Sequence, residues 1–188
     1  MQSWRSCSAA ALLSAFAFAL LASCSWVPFV GKKSEKAASS PACPITVILH
    51  PLANTAVFRP GAGPELRPLD VAWYGIYSDI AANCQIVGDT LHATLDNIIV
   101  AERGPAAKGN DVDLTYFVSL TGPDQAILGK KSIPVHITVP ERAKRAGVND
   151  HVEVAFAMGG RPVSDLNITA GFQAPPQAVE FYKNFRGR

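Results

Sequence analysis

The stretch Asp111-Val112-Asp113-Leu114-Thr115-Tyr116-Phe117-Val118-Ser119-Leu120 decides the fold. Val112, Leu114, Tyr116, Val118 and Leu120 fall on one side of an extended chain, and Asp111, Asp113, Thr115 and Ser119 on the other. Side chains of a strand alternate between faces, so this period of two specifies a strand with one face in a core and one toward water. The same period recurs outward in both directions. Toward the C-terminus, Ile133, Val135, Ile137 and Val139 alternate with Pro134, His136, Thr138 and Pro140. Pro134 has no N–H to give to a ladder, which puts this strand at a sheet edge or makes it start there. Val152, Val154, Phe156 and Met158 follow, then Leu166, Ile168, Ala170 and Phe172.

Toward the N-terminus, Leu91, Ala93 and Leu95 alternate with His92, Thr94 and Asp96. Ile98-Ile99-Val100 then breaks the phase, and a bulge near Asp96-Asn97 would account for it. Val71, Trp73 and Tyr77 alternate with Ala72, Tyr74 and Ile76, as in a strand buried on both faces. Ile45, Val47 and Leu49 share one side, with Thr46 and His50 on the other. Shorter candidates lie at Ala56–Arg59 and Gln85–Val87, giving seven to nine strands in all. Turn signals separate them: Gly61-Ala62-Gly63-Pro64, Gly104-Pro105, Gly122-Pro123-Asp124 and Gly159-Gly160-Arg161-Pro162. No helical stretch long enough for a crossover separates consecutive strands, which argues against a parallel α/β sheet. The reading is all-β: an immunoglobulin-like antiparallel sandwich, with a small barrel as the alternative.

One short helix is expected at the end. Ala178, Phe181, Tyr182 and Phe185 stand at i, i+3, i+4 and i+7 behind Pro175-Pro176, a favoured helix start. Lys183, Arg186 and Arg188 sit where the helix dipole favours cations. A helix this short is marginal alone, so its stripe is expected to dock on the sandwich.

The whole chain carries a net charge of +2. Nothing in it suggests nucleic acid as a partner, which would call for a strong basic excess. The N-terminus supplies an address. Arg5 precedes an apolar run from Ala9 to Ala22, shorter than the roughly 20 residues a helix needs to cross a bilayer. A charged start, an apolar middle and small residues before a cut are the layout of a secretory signal peptide. The segment Leu21-Ala22-Ser23-Cys24 resembles the lipobox of bacterial lipoproteins. That resemblance implies cleavage before Cys24, a thioether-linked diacylglycerol on its sulfur and a membrane anchor. Ser25 rather than Asp after the cysteine implies the outer membrane under enteric-type sorting, with the domain facing the periplasm. The domain plan is then residues 1–23 as signal peptide, 24–42 as acylated cysteine and tether, and 43–188 as the sandwich with its helix. The tether, small and polar in Lys32 to Pro41, would span about 20–25 Å as a flexible coil.

Once Cys7 leaves with the signal peptide and Cys24 is acylated, Cys43 and Cys84 remain, an even pair in an oxidising compartment. A disulfide between them is expected. A metal pair is the weaker reading, since there is no second cysteine pair and no histidine at ligand spacing.

Motifs for catalysis are absent: no G-x-S-x-G elbow, no H-E-x-x-H, no phosphate loop and no dinucleotide fingerprint. His50, His92 and His136 fall on polar strand sides, and His151 reads as a turn residue before a strand. Asp111 and Asp113 share a strand face and could bind a cation or act as acid and base, but they fit the wet face of an amphipathic strand better. Arg142, Lys144 and Arg145 form a basic run that reads as a solvated loop. Several segments are similar to a family of proteobacterial envelope lipoproteins of no known activity. These are Cys43-Pro44, Arg103-Gly104-Pro105-Ala106-Ala107, Tyr116-Phe117-Val118, Gly171-Phe172-Gln173, and Gln177 with Arg186. The likeness implies location and fold and carries over no catalytic residue. Two functions remain open. One is a non-enzymatic, membrane-anchored module that binds or scaffolds an envelope protein or polymer, with no cofactor. The other is a hydrolase or metal-binding protein with a loop-built site.

Overall fold

The computed structural model describes residues 43–184. The segments expected to be signal peptide and tether, and Cys24 between them, lie outside the described residues, as do Phe185, Arg186 and Arg188. Eight strands form: β1 (Ile45–Ile48), β2 (Asn54–Phe58), β3 (Val71–Val87), β4 (Thr90–Arg103), β5 (Asp111–Thr121), β6 (Ile127–Thr138), β7 (Arg145–Ala157) and β8 (Asn167–Phe172). One helix, α1 (Pro176–Asn184), closes the described chain. The first sheet runs β1-β8-β5-β6 and the second β2-β3-β4-β7. Every pairing is antiparallel except β1 with β8. The layering is that of immunoglobulin-like sandwiches, with β2, β3 and β4 a meander in one sheet.

The core is the inner faces of both sheets. Val112, Leu114, Tyr116, Val118 and Leu120 of β5 meet Leu91, Leu95 and Ile99 of β4 and Tyr77 of β3 in one buried cluster. Pro134 lies in β6, an edge strand, where its missing N–H costs no ladder bond. Strands are longer than their apolar runs. The two candidates at Val71 and Gln85 fuse into β3, whose register with β4 shifts between Tyr77 and Asp79. That is where the bulge sits. The expected bulge at Asp96-Asn97 does not form, because Asn97 continues the inward phase of β4 and is itself fully buried. On β1 the exposed side is that of Ile45 and Val47, while Ile48 packs on the core. His50 lies in a 3-10 turn after β1, and His151 lies inside β7 rather than in a turn.

Helix α1 starts at Pro176, with Ala178 and Val179 N–H groups donating to the Pro175 carbonyl. Phe181 packs with Ala56 of β2 and Val71 of β3, its ring 5.4 Å from that of Phe58 and edge-on to it. Tyr182 donates to the Thr55 carbonyl at 3.1 Å. Burial, with the Tyr74 phenol nearby, pushes the Tyr182 hydroxyl up to about 12. The helix explains why β3 begins buried on both faces: the sandwich core covers Trp73, and α1 helps to cover Val71.

The Cys43–Cys84 disulfide forms, with Cα atoms 5.2 Å apart. It joins the start of β1 in one sheet to β3 in the other. For a sequence separation of 41 the chain-entropy model puts its contribution at about 4 kcal/mol. The sandwich has two ends. The Cys43 end holds the start of β1, the β3–β4 turn, the β5–β6 turn and the β7–β8 connection. There the Asp89 carboxylate accepts from the N–H groups of Gly160 at 2.8 Å and Gly159 at 3.0 Å. At the other end, the Arg103 guanidinium stacks on Trp73 with its carbon 5.0 Å from the ring centre. It donates to Gly109 O, Val139 O, Ala143 O and Asn110 Oδ1, tying the β4–β5 and β6–β7 loops together. The next residue must be glycine, because a Cβ at Gly104 would fall on the Val71 carbonyl.

Candidate functional site

The structure brings three of the expected polar residues together. Asp113 and His136 are register partners on β5 and β6, and Asp111 pairs with Thr138 one position-pair away on the same face. His136 Nδ1 lies 2.7 Å from Asp113 Oδ1, and Nε2 lies 3.5 Å from Asp111 Oδ1. Thr138 donates to Asp111 at 2.6 Å. The hydrogen bond that His136 gives to Asp113, and the charges of both carboxylates, hold the imidazole above its ordinary pKa. The group is open to water, with more than half of each side chain exposed. Nothing around it excludes solvent, which a general acid–base pair needs if it is to act at low dielectric. Among the described residues no set of three or more His, Cys, Asp or Glu side chains is placed to hold a metal ion.

The remaining histidines do not join it. His151 on β7 faces Asp96 on β4 at 2.9 Å, and Asp96 raises its pKa in the same way. His92 pairs across to Ala155 on the same sheet, and His50 is exposed in its 3-10 turn. The basic run divides: Arg142 and Lys144 lie in the β6–β7 loop and Arg145 begins β7. Lys144 pairs with Glu102 at 3.5 Å.

A cluster the sequence reading missed lies between the sheets. Tyr77 donates to Asn97 Oδ1 at 2.6 Å. The Asn97 amide donates to the Asp150 carbonyl at 2.9 Å and to Tyr116 Oη at 3.3 Å. Tyr116 in turn donates to the Asp150 carboxylate at 2.6 Å. Burial pushes both phenols well above the ordinary tyrosine range, and the Asp150 carboxylate pushes them further. The two rings also meet edge-on, 5.5 Å apart. Tyr116 comes from the first sheet and the other three from the second, so the cluster fixes how one sheet lies on the other. The signal for it was there: strict alternation from Leu91 puts Asn97 inside.

A shallow groove of about 540 Å³ runs beside α1, lined by Pro64, Glu65, Leu66, Gln177, Glu180 and Asn184. It holds no histidine, cysteine or serine, and the carboxylate of Glu180 is engaged by Lys183 and Asn184. No helix among the described residues is long and apolar enough to cross a membrane. No protein-family model matches the chain, and neither a curated protein nor a solved structure matches it.

Proposed function

We propose that this chain is a lipid-anchored module of the bacterial cell envelope, held to the periplasmic face of the outer membrane by acylated Cys24. Its work is to bind or scaffold another envelope protein or polymer, not to carry out chemistry. The observation that carries this reading is the Cys43–Cys84 disulfide, which belongs to an oxidising, exported compartment. It stands directly after a segment, Leu21 to Pro41, laid out as lipobox and tether. The binding reading is supported by the strand edges: β1, β6, β2 and β7 are the outer strands of their sheets, and an extended partner can add to such an edge through backbone hydrogen bonds. The polar clusters described above are either exposed on open sheet faces or engaged in structural contacts within sheets, turns and loops.

The test has two parts. A clickable palmitate analogue fed to cells labels the wild type and leaves Cys24→Ala unlabelled, and outer-membrane fractions retain only the former. Crosslinking in intact cells, followed by mass spectrometry, then identifies the partner. Equal label on both chains sinks the anchor.

A further inference from the structure

Among the described residues, the four most exposed large aliphatic side chains are Ile45 at 69%, Leu69 at 67%, Val87 at 64% and Ile127 at 62%. Three of them stand at one end. Ile45 pairs with Asn167, Asn167 with Thr121, and Thr121 with Ile127, so Ile45 and Ile127 occupy one row across the first sheet. At about 4.8 Å per strand, that row is roughly 14 Å wide. Val87 ends β3 in the facing sheet, next to the turn that holds Asp89. The three therefore border the Cys43 end from both sheets, while Leu69 lies at the Arg103 end.

The chain enters the sandwich at this same end. Cys43 leads directly into β1, and its disulfide to Cys84 fixes the point of entry to β3 as well. In sequence, only residues 25–42 separate it from Cys24, the residue that the anchor reading places at the membrane. Whatever holds Cys24 therefore faces the Cys43 end first. The charge there is net negative: Arg161, close to Gly122, stands against Asp124 on the Gly122 turn, Asp165 in the β7–β8 connection and Asp89, whose carboxylate accepts from backbone N–H groups. Such an end offers apolar contacts and no electrostatic attraction to an anionic surface.

We infer that the Cys43 end of the sandwich seats on the lipid surface that carries the anchor, through Ile45, Val87 and Ile127. This rests on the anchor reading above. The groove beside α1 and the Arg103 end then point away from the bilayer, and the free sheet faces stand sideways to it.

The experiment uses the full acylated chain, in which Cys24 and the Cys43–Cys84 pair are blocked to thiol reagents. Val87→Cys, Ile127→Cys and Leu69→Cys are each labelled with a polarity-sensitive fluorophore and reconstituted on phosphatidylethanolamine–phosphatidylglycerol vesicles. Flotation is scored first. The expected result is a blue shift at 87 and 127, quenched by brominated lipid and not weakened by salt, with position 69 unchanged. Floated protein whose three probes stay equally water-exposed overturns this orientation and leaves the anchor standing. Protein that does not float overturns both. A blue shift seen on outer-membrane fractions but not on protein-free vesicles assigns this end to a protein partner and overturns the lipid surface.

Discussion

Two adjacent rungs of the β4–β7 ladder carry similar polar groups and face opposite ways. On one, Asp96 meets His151 outside the sandwich; on the next, Asn97 meets Asp150 within it. The outer pair is a short ion pair at 2.9 Å, half open to water. Water screens such a pair, and ordering its side chains costs entropy, so its net contribution is small. The inner rung joins Tyr77 and Tyr116 in a cluster in which no buried side-chain polar atom lacks a partner. There each unmade bond leaves a desolvated group unpaired, at about 1–3 kcal/mol. The difference lies in burial, not in the kind of residue.

The same contrast on α1 gives the largest expected effect. Phe181→Ala should cost about 3 kcal/mol, the low end for a buried Phe because the helix lies on an outer face and can resettle. Lys183→Ala, on the exposed side, should leave the urea midpoint where it is. Equal midpoints for wild type and Phe181→Ala would show that the docked helix is dispensable. Asn97→Ala comes next, at about 2–3 kcal/mol, since it strands the Tyr77 hydroxyl and leaves a hole. A loss below about 1 kcal/mol, inside the ordinary range for a surface change, would break the contrast between the rungs. Tyr116→Phe should cost about 1.5–2 kcal/mol, the scale of a hydrogen bond to a charged acceptor.

The smallest effect is electrostatic and depends on pH. His136 and His151 have folded pKa values raised by their aspartates. Their contribution is fully present below the ordinary histidine value of about 6.5 and is lost as pH rises through the folded values. The difference between wild type and a His136→Gln/His151→Gln chain should therefore be measurable below the ordinary histidine value and shrink as pH rises through the folded values. A gap that widened with pH would contradict the pairing. Asp70 behaves with the opposite sign. Burial raises its pKa, but the Arg67 N–H and the Arg59 and Arg67 guanidinium groups more than offset this and hold it low. Its contribution is present above the ordinary carboxylate value and fades as pH falls through the folded one. Urea melts of Asp70→Asn should thus converge on wild type in acid.

Most strands could be read from period-two alternation, because one wet face and one dry face write themselves into the residue order. The β5 segment is the plainest case. Where both faces are covered the pattern blurs. The second half of β5 and the start of β3 are buried on both sides, and Val71 is covered by α1 together with Ala56 and Phe58 of β2. The bulge was misplaced because Asn97 is polar yet inward. A strand is read by assuming that polar means outside, and the assumption fails where a polar side chain finds partners on the other sheet. His136 beside Asp113 was out of reach for a different reason: register between β5 and β6 sets that contact, and sequence spacing does not encode it.

By itself the sequence determined that this is a β-sandwich with a docked C-terminal helix and a Cys43–Cys84 bond, since alternation, helical spacing and an even cysteine pair are local or countable signals. Only the tertiary structure decided which strands pair, that β1 runs parallel to β8, that Asn97 holds the sheets together, and that Ile45, Val87 and Ile127 share the end where Cys43 enters. Those facts depend on residues far apart in the chain meeting in space. The free energy that selects the meeting comes from the packed whole, not from any one stretch.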